Sequence, residues 1–263
     1  MAVAAVCLGY WIGRSFLPLR SLLFLCIAAA TATAFGNVVN DRHDVATDRI
    51  SHPDRPIANG ELTLAAAGRY ALALALLSIG FAAIASPAHL IATLIPLALL
   101  VLYTRFLKAT PLAGNIVVSL LVAYPLVYGG LLGSAFYRLL VPAAAAFLAN
   151  VLREIVKDLQ DEPGDTAAGI VTTAALPAKA FDTIIIALSV LFLAILPVPV
   201  LLHQFGRIYA LVCFIGMAPL HLYWLTQWAQ RKKIDNLPLL SAILKVELVL
   251  GLVAMAADQL IKR

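Results

Sequence analysis

The stretch "LRSLLFLCIAAATATAFGNVVNDRHDVATD", residues 19–48, is apolar for two thirds of its length and then abruptly acidic. About 20 apolar residues wound into a helix span roughly 30 Å, the hydrocarbon thickness of a bilayer. A run of this kind that ends in carboxylates describes a helix crossing a membrane and delivering charge to one surface. The rest of the chain agrees. It is 62% hydrophobic and only 13% charged, with a mean hydropathy of +0.95, whereas soluble domains are about 25% charged. The sequence therefore describes an integral membrane protein, all-α, in a single domain over residues 1–263.

Apolar runs recur at about 1–13, 19–39, 63–86, 88–104, 112–134, 139–157, 179–202, 206–229 and 239–260. They predict about nine transmembrane helices in one bundle around a central cavity. The first run is short for a crossing and carries neither a basic leader nor a small-residue cleavage site. It reads as part of a helix rather than a signal peptide, with the start falling inside that first helix. If odd helices run outward, thirteen of the 19 Lys and Arg lie on one side, against Arg14, Arg20, Arg138, Arg207, Lys262 and Arg263 on the other. The positive-inside rule then places the acidic loops in the cytoplasm of a multi-pass cell-membrane protein. The net charge of +5 follows from this topology. Its basic residues are scattered without interleaved aromatics, which argues against a nucleic-acid partner.

Ten of the 14 carboxylates fall into two segments, Asp41 to Glu61 and Glu154 to Asp165. If the second helix continues past Asn37, then Asn37, Asn40, Asp41, Asp44 and Asp48 share an arc of roughly 100°. Glu154, Lys157, Asp158, Asp161 and Asp165 each follow a member of that set by 117 positions. Two half-bundles facing across one cavity would repeat a spacing in this way. Pro163 and Gly164 predict a helix break before Asp165. Aspartates four residues apart on one helix face repel, so the cluster calls for a cation. Carboxylate and amide oxygens without His or Cys favour a hard ion, and Mg²⁺ binds through one or two carboxylates while sharing substrate phosphates.

Other residues are assigned more modest roles. Cys7, Cys26 and Cys213 lie in apolar runs without metal or disulfide spacing and read as small buried hydrophobes. His43 and His52 read as polar loop residues. Tyr223, Trp224 and Trp228 read as an interfacial aromatic belt, and Arg231, Lys232 and Lys233 as a topology signal. Lys245 and Glu247 fall within a span, where an ionisable group marks a functional site by default, although the long stem of Lys245 can snorkel to the interface.

The pattern Asn40-x-x-x-Asp44-x-x-x-Asp48, followed by Arg55-Pro56 and Gly60, resembles the first aspartate-rich motif of the UbiA superfamily of intramembrane prenyltransferases. "REIVKDLQDEPGD", residues 153–165, is similar to the second motif of that superfamily, with Asp161-x-x-x-Asp165 as its core. "YTRFLKATPLAGN", residues 103–115, is similar to its Tyr/Lys segment. The resemblance implies prenyl transfer from a polyprenyl diphosphate donor to a lipid acceptor, with Mg²⁺ as cofactor. It implies metal ligation by Asn40, Asp41, Asp44, Asp48, Asp158, Asp161 and Asp165, of which Asp44, Asp48, Asp161 and Asp165 are the catalytic set. It further implies substrate contacts from Asn37, Arg55, Tyr103, Lys108, Asn115, Arg153 and Lys157, with Glu154 as a conceivable base.

"DRISHPDRPIANGELT", residues 48–63, has a Pro-x-Arg-Pro-Ile form that resembles the archaeal ether-lipid branch of the superfamily and also its chlorophyll branch. The second motif looks most like the ether-lipid branch, which moves a geranylgeranyl group from geranylgeranyl diphosphate to the hydroxyl of geranylgeranylglyceryl phosphate. A phosphate-bearing acceptor suits cations such as Arg153 and Lys179. An aromatic or chlorophyllide-like acceptor is the alternative within the superfamily, and a cation-coupled transporter the alternative outside it. Transporters concentrate ionisable groups near the midplane, whereas the acids here gather at helix ends.

Overall fold

The computed structural model describes residues 1–167, 169–230 and 236–261. It is helical throughout; among the described residues the β-structure amounts to one isolated bridge, Ser15 to Gly133. The helices are α1 (Ala2–Ile12), α2 (Leu19–His43), α3 (Val45–Ser51), α4 (Leu64–Ala85), α5 (Pro87–Leu102), α6 (Ala113–Gly129), α7 (Leu140–Ala167), α8 (Ala178–Ile195), α9 (Val198–Leu201), α10 (Arg207–Leu211), α11 (Ala218–Ala229) and α12 (Leu237–Ile261). A π-helical turn, Tyr103–Leu107, extends α5, and another, Val212–Met217, joins α10 to α11.

Seven of these rods are long and apolar enough to cross a membrane, while Ala2–Ile12 and Ala113–Gly129 are shorter apolar helices. Seven crossings by length, rather than nine, is the count among the described residues. Hydrocarbon cannot satisfy a bare peptide group, which is why the apolar runs become helices. Their outward faces carry Leu72, Leu76, Ile84 and Ile215, all more than half exposed, as expected where the surrounding solvent is lipid. Local signals start the helices where the sequence changes character. The Thr63 hydroxyl accepts the Ala66 N–H at the head of α4, and Ser86 accepts from His89 at the head of α5, where Pro87 occupies the first turn.

The span containing α7 is the most buried, with α6, α8 and α12 packed around it. The short helices α1 and α6 touch backbone to backbone. A Cβ on Gly9 would lie 2.0 Å from the Leu126 carbonyl oxygen, and one on Gly129 would lie 2.1 Å from that of Val6. Only glycine permits such an approach.

Three local expectations are corrected. The chain does not break before Asp165, because α7 runs through Pro163 to Ala167. Proline removes one helical hydrogen bond, and one turn from the helix end that loss leaves the path intact. The continuous helix expected from Asn37 to Asp48 ends at His43. Asp44 leaves the helical region at φ −88°, ψ 8°, and α3 begins anew at Val45. Trp224 and Trp228 are core residues, not an interfacial belt, whereas Tyr223 is exposed. Their spacing places His221, Trp224 and Trp228 on one inward stripe of α11. There Trp224 and Trp228 stack at 5.7 Å, and the Trp224 indole donates to the Leu240 carbonyl at 3.0 Å. Arg231, Lys232, Lys233, Lys262 and Arg263 lie outside the described residues.

Candidate active site

The first acidic segment is held by local bonds at the end of α2. The Asp44 N–H donates to the Asn40 carbonyl at 2.9 Å, and the Asp44 carbonyl accepts from the Asp48 N–H at 2.7 Å. The Asn40 amide donates to Asp44 Oδ2 at 2.8 Å. The side chains of Asp44 and Asp48 are each 7% exposed, so each requires a positive partner. Lys108 donates to Asp44. Arg55 bridges Asp48 at 2.9 Å and Asp41 at 3.1 Å. His43 lies on the exposed side of the same cluster, 3.4 Å from Asp44.

Lys108 arrives there because α5 ends in the π-helical turn, whose closing bond runs from the Lys108 N–H to the Tyr103 carbonyl at 2.9 Å. Such wide turns recur where a helix must redirect a functional side chain. This link, spanning 64 residues of sequence, joins the Tyr/Lys segment to the first aspartate motif.

The second segment is arranged differently. On α7, Glu154 is engaged by Arg153 at 2.8 Å and by Lys157 at 3.2 Å. Asp158 accepts from the Asn115 amide at 2.9 Å and from the Thr173 N–H at 3.2 Å. The Thr173 hydroxyl donates to Asn115 at 2.7 Å, and the Leu112 N–H donates to Thr173 at 2.9 Å. Asn115 and Asp158 are thus committed to a latch that pins the loop after α7 onto the start of α6. Thr173 has no signal in the sequence beyond being a polar residue in a loop. Among the described residues no cation pairs with Asp161 or Asp165. Asp165 nevertheless lies within electrostatic reach of Asp44 and Lys108, so the two motifs face one another.

Between them opens a cavity of about 620 Å³, within the range of small-molecule and cofactor sites. Its polar end is formed by Asn37, Asn40, Asp41 and Arg55 from the first segment and by Arg153, Glu154 and Lys157 from α7, with Tyr103 and Thr104 between them. Its other end is apolar, walled by Ala28, Ala32, Leu100, Leu121, Val122 and Pro125, and closes on Tyr124 and Tyr128. Asp44, Asp48, Lys108, Asn115, Asp158, Asp161 and Asp165 do not line this cavity. A small polar pocket of about 20 Å³, bordered by Tyr103, Lys108, Asn115, Glu154 and Asp158, lies beside it.

Among the described residues no three carboxylate, thiolate or imidazole groups already converge as a metal cage, since Asp44 and Asp48 are each turned onto a cationic side chain. The donor set fits a hard divalent ion in kind, consisting of carboxylates with the Asn40 amide and no thiolate. The ammonium of Lys108 on Asp44 marks where positive charge is required.

The profile of the UbiA prenyltransferase family matches residues 2–243. The chain belongs to that family. A digeranylgeranylglyceryl phosphate synthase of Methanoculleus marisnigri is 40% identical over 164 residues, covering 62% of this chain and 58% of the relative. The synthase of the same name from Korarchaeum cryptofilum is 30% identical over 251 residues, covering 94% and 89% of the two chains. The first match thus spans less than two thirds of its relative's length and the second nearly all of it. A solved structure described as a digeranylgeranylglyceryl phosphate synthase in membranes superposes with a TM-score of 0.81 at 26% identity, covering 98% of this chain and 92% of that one. A UbiA homologue from Archaeoglobus fulgidus bound to DMAPP and Mg²⁺ shares the fold, with a TM-score of 0.72 at 19% identity over 97% and 94% of the chains.

Two further placements bear on the sequence reading. Glu247 is fully buried and faces His221, Nδ1 to Oε2 at 3.1 Å, also fully buried. A histidine in the apolar run 206–229 was the available signal for this partner. The Sγ atoms of Cys7 and Cys26 stand 3.5 Å apart between α1 and α2, a proximity their sequence positions do not reveal, whereas Cys213 is buried as expected.

Proposed function

We propose that this chain transfers a geranylgeranyl group from geranylgeranyl diphosphate to the hydroxyl of geranylgeranylglyceryl phosphate, releasing diphosphate. The observation that carries the reading is the two-ended cavity, cationic where both aspartate segments meet and apolar beyond. The names of the archaeal relatives select the acceptor.

In this reaction the bond between C1 of the donor and its diphosphate oxygen breaks, C1 bonds to the acceptor oxygen to form an ether, and the acceptor's hydroxyl proton passes to a base, for which Glu154 stands on the cavity wall. Negative charge grows on the departing diphosphate. Arg55, Arg153 and Lys157 stand on the cavity wall to meet it, and Lys108 adds its charge from behind Asp44. Asn37, Asn40 and Tyr103 supply neutral hydrogen-bonding groups that orient the diphosphate. The apolar end holds the isoprenoid tail and keeps water from the cation-like allyl carbon. Asn40, Asp44 and Asp48 on one side and Asp161 and Asp165 on the other would hold Mg²⁺, which supplies neutralisation of the leaving diphosphate. Asp41 and Asp158, engaged by Arg55 and by the Asn115–Thr173 latch, position those ligands. Read this way, α1 and α6 complete a nine-helix bundle in a single membrane domain. The excess of Lys and Arg beside the aspartates orients the site to the cytoplasm of the cell membrane.

The test incubates purified protein with labelled geranylgeranyl diphosphate and Mg²⁺, offering geranylgeranylglyceryl phosphate and 4-hydroxybenzoate in parallel, with EDTA controls. EDTA-sensitive transfer to the glycerol lipid alone is the expected outcome. Transfer to the aromatic acid alone overturns the acceptor assignment, and transfer to neither overturns the reading.

A further inference from the structure

At the opposite end of the bundle from the aspartates lies a second polar site that prenyl transfer does not use. A cavity of about 1070 Å³ opens there among the turn after α1, the start of the α7 span, the turn after α9 and the end of α12. From this face to Asp161, α7 covers about 30 Å, one hydrocarbon thickness. The cavity therefore sits at the other membrane boundary.

Four observations mark it as built for a ligand. Gln204 Oε1 and Gln259 Nε2 both belong to residues lining it, and both are buried without a hydrogen-bond partner among the described residues; such orphaned atoms are rare in native folds because they are costly. Arg14 and His203, which also line it, hold φ at 53° and 54°. Left-handed backbone at bulky residues persists where surrounding structure imposes it, and it concentrates at ligand clamps. The charge is cationic, from Arg14 and Arg138. Asp258, the carboxylate at this end of α12, is buried and held by the backbone N–H groups of Gly206 at 2.9 Å and Tyr209 at 3.3 Å. Finally, Trp11 stands 58% exposed on the rim, at the depth where indole rings favour the lipid headgroup boundary.

We propose that this cavity binds one membrane lipid whose phosphate headgroup carries a hydroxyl. Phosphate oxygens accept from the Arg14 guanidinium, and turning of the Gln259 and Gln204 side chains toward the cavity brings Nε2 to a phosphate oxygen and Oε1 to a headgroup hydroxyl that donates to it. Arg138 is fixed as the floor, donating to the Gln204 carbonyl and lying 5.2 Å over the Phe205 ring. The lipid's hydrocarbon lies along Trp11 and Leu260. This site is independent of the proposed reaction, and its occupancy is measured without turnover.

Native mass spectrometry of the full chain, offered phosphatidylglycerol and phosphatidylcholine in equal amounts, reads the preference. One phosphatidylglycerol is expected to be retained, favoured about tenfold, the worth of a charge-assisted contact. The variant Arg14→Gln with Gln259→Leu is expected to lose that preference and keep its prenyl transfer, while Arg14→Lys keeps both. A second measurement needs no variant: bromine-labelled phosphatidylglycerol should quench Trp11 fluorescence more than bromine-labelled phosphatidylcholine, Trp224 and Trp228 being shielded in the core. Equal retention of the two lipids, equal quenching, an unchanged preference in the double variant, or displacement of the lipid by soluble glycerol phosphate at matching concentration would each overturn the proposal.

Discussion

The two aspartate segments share one spacing and reach opposite electrostatic solutions. In the first, the helix stops at Asp44, and Lys108 and Arg55 neutralise Asp44 and Asp48 from within the protein. In the second, α7 runs unbroken to Ala167, and among the described residues no cation pairs with Asp161 or Asp165. One half of the site is electrostatically complete, and the other holds a charge deficit that a bound ion would fill. Equal spacing in sequence therefore does not mean equal preparation in space.

The largest effect should come from removing a carboxylate on either side. Asp44→Ala and Asp161→Ala are each expected to lower prenyl transfer by at least about a thousandfold. Folding is checked by a monodisperse elution profile, and a fully active variant on one side would break the pairing of the two segments.

Ion binding should separate the halves. Mg²⁺ at about one hundred times its dissociation constant is expected to stabilise the protein by about 2.7 kcal/mol, read as a rise in the thermal unfolding midpoint that EDTA reverses. Asp165→Asn should abolish most of that rise and leave the EDTA-treated protein as stable as the parent, or stabler by about 0.5 kcal/mol as a like-charge pair is relieved. Asp48→Asn should also diminish that rise but, unlike Asp165→Asn, weaken the EDTA-treated protein by about 1–2 kcal/mol because Arg55 loses one of its two carboxylate partners, a figure reduced for the partial exposure of Arg55. If both variants lower stability alike, the second segment is not the uncompensated one.

A smaller effect tests how Asp158 is held. Asn115→Ala opens the Asp158–Thr173 latch and should cost about 1–2 kcal/mol of stability, with transfer reduced through a lower kcat rather than a raised KM. The smallest effect is expected at Pro163→Ala, which restores a helical hydrogen bond at an exposed position. Helix content by circular dichroism should be unchanged and stability should shift by under about 0.5 kcal/mol; a large gain in helix would show that α7 does break there.

Much of the site was legible in residue order because motif chemistry is local. Asn40, Asp44, Asp48, Asp161 and Asp165 stand at helical spacing at the ends of apolar runs, and no tertiary knowledge is needed to see that such clusters call for a cation. What escaped depends on distant segments. Lys108 finds Asp44 across 64 positions through a π-helical turn that no propensity announces. Thr173 finds Asn115 across 58, and His221 finds Glu247 across 26. The misplaced tryptophans teach the same lesson, since composition marks Trp224 and Trp228 as amphipathic but only packing against α8 and α12 decides that their stripe faces inward.

The sequence by itself determined the solvent of this protein, its helical class, its family and the identity of its acidic donors. These follow from composition and short-range spacing, which act wherever the chain lies. The tertiary structure alone decided which carboxylates are already neutralised, where the α2 helix yields at Asp44 and which polar groups, among the described residues, are left unpaired at the opposite face. Those outcomes depend on which side chains meet across the bundle, and burial makes each such meeting, or its absence, energetically decisive.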